Sequence, residues 1–262
     1  MGLFDLNFDY FVSHLISSNE DNTVTSESFN LAREGNLRVQ WAPIEYVPPS
    51  ARLAIVGITP GRQQANNALR AFQDSIAEGH PREEALRRAK SIASFSGGMR
   101  NNLVEMLDSV GVNDLFAVPS CHALFEPERE SVHFTSALRY PVFRDGKNYH
   151  GTPRILGTPI LRQMVETFLA EEARTLHDSF WLPLGSHPAE ALHHLVAMGV
   201  IPAHRVLPAL PHPSGANIER IHYFIGKKQK SALSKKTNPD KVDAARMNFL
   251  SHVHNLKYSI QP

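Results

Sequence analysis

The chain has 262 residues, 42% of them hydrophobic, which is enough for one large packed domain. A charged fraction of 20% and a net charge of +1 exclude a strongly basic coat protein, although local basic patches fit these values. No apolar run reaches eighteen residues and no basic and apolar leader opens the chain, so we expect neither a membrane span nor a secretory signal.

Cysteine and histidine usage bounds the location and the cofactors. Cys121 is the only cysteine, so the sequence predicts a cytoplasmic protein without a disulfide or a four-cysteine iron–sulfur cluster. The fourteen histidines form no H-E-x-x-H pattern, and His193 and His194 would point in different directions on a helix. We therefore expect no metal site and no cofactor.

Strand and helix patterns alternate along most of the chain. The first 50 residues are irregular and predict one or two helices. Apolar runs typical of buried strands follow at residues 52–58, 115–118, 180–184 and 205–210. Helical spacing appears at residues 63–77, 81–93, 99–110, 159–176, 188–198, 217–225 and 239–256. This order predicts an α/β fold with three αβα layers around a central, mostly parallel four-stranded sheet.

Residues 126–158 break this alternation and predict an inserted arm or hairpin. Asp145-Gly146 within them is a good turn signal. Residues 227–262 read as a basic linker and a C-terminal helix. We expect one domain over residues 1–262, with its core at about 50–226, and a monomeric protein.

Two Pro/Gly loops carry the functional signal. Loop one is G-I-T-P-G at residues 57–61, and loop two is P-H-P-S-G-A-N at residues 211–217. Each follows a predicted strand and precedes a predicted helix, and such loops converge on one crevice in an α/β sheet. Loop one can bring backbone amides close to a base or sugar, and loop two adds an imidazole and an anion-binding helix N-terminus. The alternative is that both are ordinary strand-to-helix turns.

Four segments in this order resemble the uracil-DNA glycosylase superfamily. Loop one looks like the G-I-N-P-G loop of the mismatch-specific uracil/thymine glycosylases. H-P-S at 212–214 looks like the H-P-S loop of the uracil glycosylases themselves and of the single-strand-selective ones. Residues 95–103 resemble the segment whose Phe stacks on the extruded base, and residues 180–192 resemble the strand, turn and helix before the final motif. The likeness spans roughly residues 50–226.

This resemblance implies a monofunctional DNA glycosylase that flips a base out of DNA and hydrolyses its N-glycosidic bond. His212 would bind the base oxygen that gains negative charge, and Thr59, where the family has Asp or Asn, would orient the attacking water. The implied base contacts come from Gly57, Ile58, Pro60, Gly61, Phe95, Ser120 and His122. The implied DNA contacts come from Ser214, Gly215, Ala216 and Asn217.

The sequence departs from the family where a base-reading Asn follows strand two. Residues 116–125 align with that segment by eye, which puts Pro119 or Ser120 at the Asn position. A site that pairs one base edge rejects bases that leave its polar groups unpaired, so this change predicts a different accepted base. The substrate would be uracil-like or a modified pyrimidine, including a hypermodified base of phage DNA in an antiphage role.

A run of lysines after the predicted core is a further candidate for DNA binding, and two functions other than a DNA glycosylase remain open. Lys227, Lys228 and Lys230, followed by lysines at 235 and 236, could bind the DNA backbone or form a solvated linker. One rival is a non-catalytic DNA-binding protein on the same scaffold, which Thr59 permits. The other is an unrelated small-molecule hydrolase that uses His122 or His212.

Overall fold

The computed structural model describes residue 4 and residues 7–17, 23–94, 97–126 and 130–260, with the backbone alone at 97 and 258–260. The chain forms two units. The first unit comprises Met1–Val47, Ile58–Ser94 and Thr135–Thr175. The second unit comprises Pro48–Gly57, Phe95–Phe134 and Leu176–Pro262.

Helices and strands alternate in the order that the sequence predicts over most of the chain. The helices are α1 (Phe8–Ser17), α2 (Arg62–Ala77), α3 (Arg82–Ala93), α4 (Gly97–Ser109), α5 (Val112–Leu115), α6 (Pro159–Met164), α7 (Ala170–Thr175), α8 (Ser186–Ala197), α9 (Ile218–Phe224) and α10 (Pro239–Ile260). The strands are β1 (Asn30–Glu34), β2 (Leu37–Gln40), β3 (Leu53–Gly57), β4 (Val132–Ser136), β5 (Val142–Arg144), β6 (Lys147–Asn148) and β7 (Phe180–Pro183). A π-helical stretch, Val165–Leu169, joins α6 to α7.

The second unit is built on a parallel sheet of apolar strands. Every residue of β3 and β7 is buried, and the strand order is β4-β3-β7. Residues 206–210 continue the sheet beside β7, because the amides of Leu207 and Leu210 donate to carbonyls of that strand. The α/β fold class is thus confirmed, and its helices and parallel sheet are compatible with three αβα layers.

The core of the second unit lies between this sheet and three of its helices. Leu53 and Ile55 of β3 pack in one cluster with Leu103 of α4, Phe224 of α9 and Phe249 of α10. All five side chains are fully or almost fully buried, so removal of apolar surface from water is the main stabilising effect here. None of the helices in the described part of the chain has a stretch both long and apolar enough to cross a bilayer.

The strand predicted at 115–118 is wrong. Val112 and Phe116 are both buried, four residues apart, which is the spacing of a helix face. α5 ends at Leu115, and residues 116 and 117 form the turn after it. Ala117 then takes a φ of +53°, a left-handed conformation that strands do not contain. The missing strand is β4, which lies in the stretch predicted as an inserted arm. Its pattern is obscured because His133 is a completely buried polar residue.

The first unit contains an antiparallel sheet that sequence reasoning found only in part. The sheet has the order β1-β2-β5-β6, and the β5–β6 hairpin turns at Asp145 and Gly146 as predicted. β1 and β2, in the stretch predicted to be helical or irregular, were missed because polar residues interrupt their apolar pattern. Trp41 follows β2 and stacks on Phe11 of α1 with ring centroids 5.3 Å apart. The single-domain organisation and the monomeric state stay predictions.

Candidate functional site

Loop one leaves β3 at Gly57 and reaches α2, which begins at Arg62. Because β3 is completely buried, the chain must turn at the carboxyl edge of the sheet, and Pro60 and Gly61 lie in that turn. The amide of Gly61 donates to Gln64 Oε1 at 3.1 Å, which closes the first turn of α2. The loop therefore has a fixed backbone at the point where the strand ends.

The hydroxyl of Thr59 is bonded to backbone groups on two sides. Its hydrogen goes to the carbonyl of Tyr140, and its oxygen accepts from the amide of Val142, both at 3.1 Å. A hydroxyl has one hydrogen and two lone pairs, so one lone pair remains. Thr59 can accept a hydrogen bond from water but has no hydrogen left to donate to it. Its water-positioning role stays a prediction.

Glu45 anchors the segment to which Thr59 is bonded. Its Oε1 accepts from the Tyr140 hydroxyl at 3.0 Å and from Trp41 Nε1 at 2.8 Å. Its Oε2 is buried and has no hydrogen-bond partner within the described ranges. Burial raises the pKa of Glu45, although its hydrogen bonds act in the opposite direction. Sequence reasoning missed Glu45 and Tyr140, because no local pattern relates residues 95 positions apart.

A buried ion pair fixes the same segment from α7. Arg139 Nε donates to Glu172 Oε1 at 2.7 Å, and Arg139 Nη2 donates to the carbonyl of Phe168 at 2.8 Å. The Glu172 side chain is fully buried and that of Arg139 is 6% exposed. Removing one partner would leave an uncompensated buried charge, so this pair holds the segment after β4 in one arrangement.

The observed position of β4 changes which residue stands where a base-reading side chain is expected. Strand two of the sheet is β4, which ends at the buried Ser136. The amide of Leu138 donates to the carbonyl of Ile58 at 3.0 Å, so the segment after β4 runs beside loop one. The residue at the end of strand two is therefore Ser136 and not Pro119 or Ser120.

Ser120 and His122 lie at a short 3-10 helix, Cys121–Phe125, and not at the end of a strand. The Ser120 hydroxyl donates to Asp108 Oδ2 at 2.7 Å and accepts from the His122 amide at 3.1 Å. It is the N-cap of this turn. Burial raises the pKa of the neighbouring Cys121 thiol, which makes it inert at neutral pH. The base contacts of Ser120 and His122 stay predictions.

Loop two holds His212 between two prolines in the second unit. The amide of Ser214 donates to His212 Nδ1 at 3.3 Å, so we assign the ring hydrogen to Nε2. Burial lowers the pKa of His212, which favours the neutral form of the ring. The loop thus sets the imidazole up as an Nε2–H donor.

Two asparagines hold the backbone of loop two. Asn102 of α4 donates from Nδ2 to the carbonyl of Pro213 at 2.9 Å, and Asn217 donates to the carbonyl of His212 at 3.1 Å. Asn217 therefore turns into the loop, whereas Gly215 and Ala216 are exposed. DNA contacts from residues 214–217 stay predictions.

The motif at residues 95–103 makes a contact that was not expected of it. Sequence reasoning missed Asn102, although this residue lies within that motif and carries the bond to loop two. Phe95, predicted to stack on the base, lies outside the described residues.

Three of the five predicted DNA-binding lysines are bonded to acidic side chains, whereas the other two, at 235 and 236, are exposed. Lys227 lies 2.8 Å from Glu105, Lys228 2.8 Å from Glu219, and Lys230 2.9 Å from Asp240. The hydrogen bond from Lys228 is the largest of several that hold the pKa of Glu219 well below its usual range. Binding of these lysines to phosphates would require exchange of these partners, and it stays a prediction. Nowhere in the described ranges do three His, Cys, Asp or Glu side chains form a group able to hold a metal ion.

Comparisons with known proteins agree with the order of motifs. The family model of the uracil DNA glycosylase superfamily matches residues 44–239. YoxB of Bacillus subtilis (strain 168), described as an uncharacterized protein, is 34% identical over 221 residues, which cover 83% of this chain and 86% of YoxB. No solved structure matches the chain. From the family match over three quarters of its length, the chain belongs to the uracil DNA glycosylase superfamily.

Proposed function

We propose that this protein is a DNA glycosylase that flips a base out of DNA and hydrolyses its N-glycosidic bond. The observation that carries the proposal is the orientation of His212. Its Nδ1 accepts from the Ser214 amide, its backbone carbonyl accepts from Asn217, and burial lowers the pKa of its ring. A donor fixed in this way needs no reorganisation when charge develops on a leaving base, which is the condition for strong electrostatic catalysis.

His212 acts on the leaving base and not on the water. As the glycosidic bond breaks, its electron pair moves onto the base, and a base oxygen gains negative charge. The Nε2–H of His212 donates to that oxygen and stabilises the departing anion. Loss of one such donor typically slows a reaction about 10²–10³-fold.

Loop one holds the attacking water but does not deprotonate it. The single lone pair left on the Thr59 oxygen accepts a hydrogen from the water, whose own lone pair then faces the sugar. A hydroxyl is not a general base at neutral pH, so the water keeps both hydrogens until its oxygen has bonded to the sugar and then gives one proton to solvent or to the departed base anion. Departure of the base therefore dominates the barrier, which favours bases that are stable as anions.

Ser136 makes the protein selective for a base other than plain uracil. It stands at the end of strand two, where a base-reading Asn is expected, and it is buried. A hydroxymethyl group is shorter than an amide and pairs with fewer atoms of a base edge, so it leaves more room. We propose a modified pyrimidine as the substrate, with a hypermodified phage base, and hence antiphage defence, as the most informative case to test.

A second candidate is a DNA-binding protein without catalysis. The observation that favours it is the bond from Thr59 to the Tyr140 carbonyl, which gives this hydroxyl a purely structural use. Such a protein would recognise an extruded base through the same loops and release nothing.

Mass spectrometry of bases released from DNA separates the two candidates. The purified protein is incubated with unmodified DNA, uracil-containing DNA and phage DNAs that carry hypermodified pyrimidines, and the abasic sites are counted by alkaline cleavage. We expect release from one modified DNA by the wild type and almost none by His212→Ala. Binding to the same DNAs without release from any would support the non-catalytic protein, and release from free nucleosides alone would support a small-molecule hydrolase.

A further inference from the structure

We infer that the β5–β6 hairpin beside loop one binds the phosphate backbone of DNA through Lys147, Arg62 and Arg144. This inference rests on the proposed action on DNA and adds the surface that holds the duplex. It differs from the sequence-based expectation, which placed the backbone contacts on Lys227, Lys228 and Lys230.

The hairpin is fastened directly to loop one. Asn148 Oδ1 accepts from the amide of Arg62, the first residue after the loop, at 3.1 Å. The guanidinium of Arg62 also donates to the carbonyl of Gly146 in the hairpin turn. At the other end of the hairpin, the amide of Val142 donates to Thr59 Oγ1. A phosphate bound by this hairpin would therefore lie next to the loop that faces the sugar.

The turn of the hairpin is fixed before any ligand binds. Asp145 and Gly146 have φ values of +49° and +71°, as a tight two-residue turn of this kind requires. Both carboxylate oxygens of Asp145 accept from Asn36 Nδ2, at 2.9 and 3.0 Å, which ties the turn to the loop between β1 and β2. A cation held on such a rigid element loses little freedom on binding.

The charges of the hairpin surface remain available, in contrast to those of Lys227, Lys228 and Lys230. Lys147 and Arg62 are exposed, and neither forms an ion pair with any residue in the described part of the chain. Arg62 lies over the ring of Phe143, with 5.5 Å from its Cζ to the ring centroid. Arg144 lies 3.7 Å from Asp145, the one acid in this group, so three cations face one carboxylate. Each lysine of the 227–230 run, by comparison, already has a carboxylate within 3 Å.

Duplex DNA is the partner that fits this arrangement. Phosphates recur along each strand, and cations spaced along a hairpin can contact them without reading sequence. The contact positions the duplex beside loop one. Loss of one such contact lowers affinity on all sequences alike and reduces the slope of log K against log salt by about 0.9.

Salt-dependent binding to a 20-base-pair duplex measures the contribution of each surface. We expect Lys147→Gln to reduce the salt slope by about 0.9 and Lys147→Glu to reduce affinity further. Lys241→Gln is the matched control, because Lys241 is also an exposed lysine without an ion pair in the described part of the chain, but lies on α10. Arg62→Gln is measured with its melting temperature, because its bond to Gly146 also supports the hairpin.

Cross-linking from one introduced cysteine at a time locates the DNA while all other charged residues stay unchanged. Cys121 is fully buried, so Lys147→Cys and Lys241→Cys each add one reactive thiol for an azidophenacyl group. We expect the probe at 147 to cross-link to the duplex and the probe at 241 not to do so.

The outcomes separate this inference from the proposed function. If the wild type binds no DNA at any salt concentration, the proposed function itself fails. If the wild type binds DNA while Lys147→Gln keeps the full slope and the probe at 147 does not cross-link, only the hairpin surface is wrong. A reduced slope in a triple variant of Lys227, Lys228 and Lys230 to Gln, together with an unchanged hairpin variant, would return the contacts to the lysine run.

Discussion

The two Pro/Gly loops look alike in sequence but are held in different ways. Loop one carries no titratable side chain, and its one functional hydroxyl is bonded to Tyr140 and Val142, with Glu45 behind Tyr140. Loop two carries an imidazole that is held by backbone and amide groups around it. Loop one is thus fixed through the hydroxyl of Thr59, the side chain that was expected to act. Loop two is fixed mainly through its backbone carbonyls, on either side of the imidazole that was expected to act.

Because of this difference, side-chain changes in loop one should affect mainly stability, and those in loop two should affect mainly the reaction rate. In loop one, removal of a side-chain group leaves buried backbone groups without partners, which costs stability. In loop two, removal of the imidazole loses the bond from the half-buried Ser214 amide but keeps the bonds that Asn102 and Asn217 make to the loop carbonyls. Variants of loop one should therefore affect melting temperature first, and variants of loop two should affect the rate first.

The largest expected effect is that of His212→Ala. The variant loses the Nε2–H donor that meets charge only in the transition state, so single-turnover base release should fall about 10²–10³-fold. Affinity for substrate DNA and melting temperature should stay near the wild-type values, and these two measurements are the controls. An unchanged rate in the folded variant would remove His212 from the mechanism and with it the contrast between the loops.

Asn102→Ala should produce the next largest effect. Asn102 is a positioning residue, because its side chain donates to the carbonyl of Pro213 and its replacement leaves the imidazole intact. Loss of this one bond should slow base release about tenfold, which corresponds to about 1.4 kcal/mol. Asn101→Ala is the matched control, because Asn101 is its exposed neighbour on the same helix.

A merely structural role for Asn102 would give a different pattern. In that case DNA affinity and rate would fall together with melting temperature, and the pH profile of the rate would keep its shape. We expect the rate to fall while DNA affinity stays unchanged, and we expect the pH profile of the rate to shift, since a looser loop two changes the surroundings of His212.

The sequence predicted what depends on local pattern. The apolar run of β3 and the helices on either side of the loops follow from composition and spacing, and so do the loops themselves. The sequence does not predict β4, because the completely buried His133 interrupts its apolar run. It predicts a strand at 115–118, because four consecutive apolar residues fit a strand as well as a helix end and the turn after it.

The support of the two loops could not be predicted from the sequence. Glu45 and Tyr140 are 95 positions apart, and Asn102 and Pro213 are 111 positions apart. Each bond depends on where the sheet places the ends of its strands, and a polar residue in a loop carries no signal of its distant partner. Because the second strand of the sheet is predicted at residues 115–118, the sequence also predicts a base contact for Ser120. The residue at the end of the observed strand is Ser136.

Thr59→Val tests the structural half of the comparison. Valine has nearly the same shape as threonine but no hydroxyl, so the carbonyl of Tyr140 and the amide of Val142 lose their partner. We expect a loss of about 1–3 kcal/mol in the free energy of unfolding, measured by denaturant titration. Thr59→Ser keeps both bonds and should be close to wild type.

The rate of Thr59→Val decides whether loop one also holds the water. A fall of several-fold in single-turnover rate, at a temperature where the variant is fully folded, would support the water-positioning role. Equal rates for Thr59→Val, Thr59→Ser and the wild type would leave Thr59 with the structural role alone. Loop one would then contribute only to stability, and the catalytic side chain would come from loop two.

The smallest expected effect is on the pH dependence of stability, and its sign differs between the two regions. Burial raises the pKa of Glu45, so the folded protein keeps a proton there that the unfolded chain releases above pH 4.5. Its contribution to stability is present below that pH and is lost as pH rises through the folded pKa. Burial lowers the pKa of His212, so its contribution is present above pH 6.5 and is lost as pH falls through the folded pKa.

Unfolding free energies of Glu45→Gln and His212→Gln between pH 4 and pH 8 measure these two slopes separately. Glutamine keeps a carbonyl oxygen for Trp41 and Tyr140 and carries no charge, so Glu45→Gln should gain on the wild type as pH rises. His212→Gln should gain on the wild type only as pH falls below 6.5, because a neutral amide takes up no proton. Parallel curves for Glu45→Gln and the wild type would mean that Glu45 is ionised in the folded protein. The orphaned Oε2 would then be a buried charge, and loop one would be held by a charged carboxylate instead of a neutral hydrogen-bonded group.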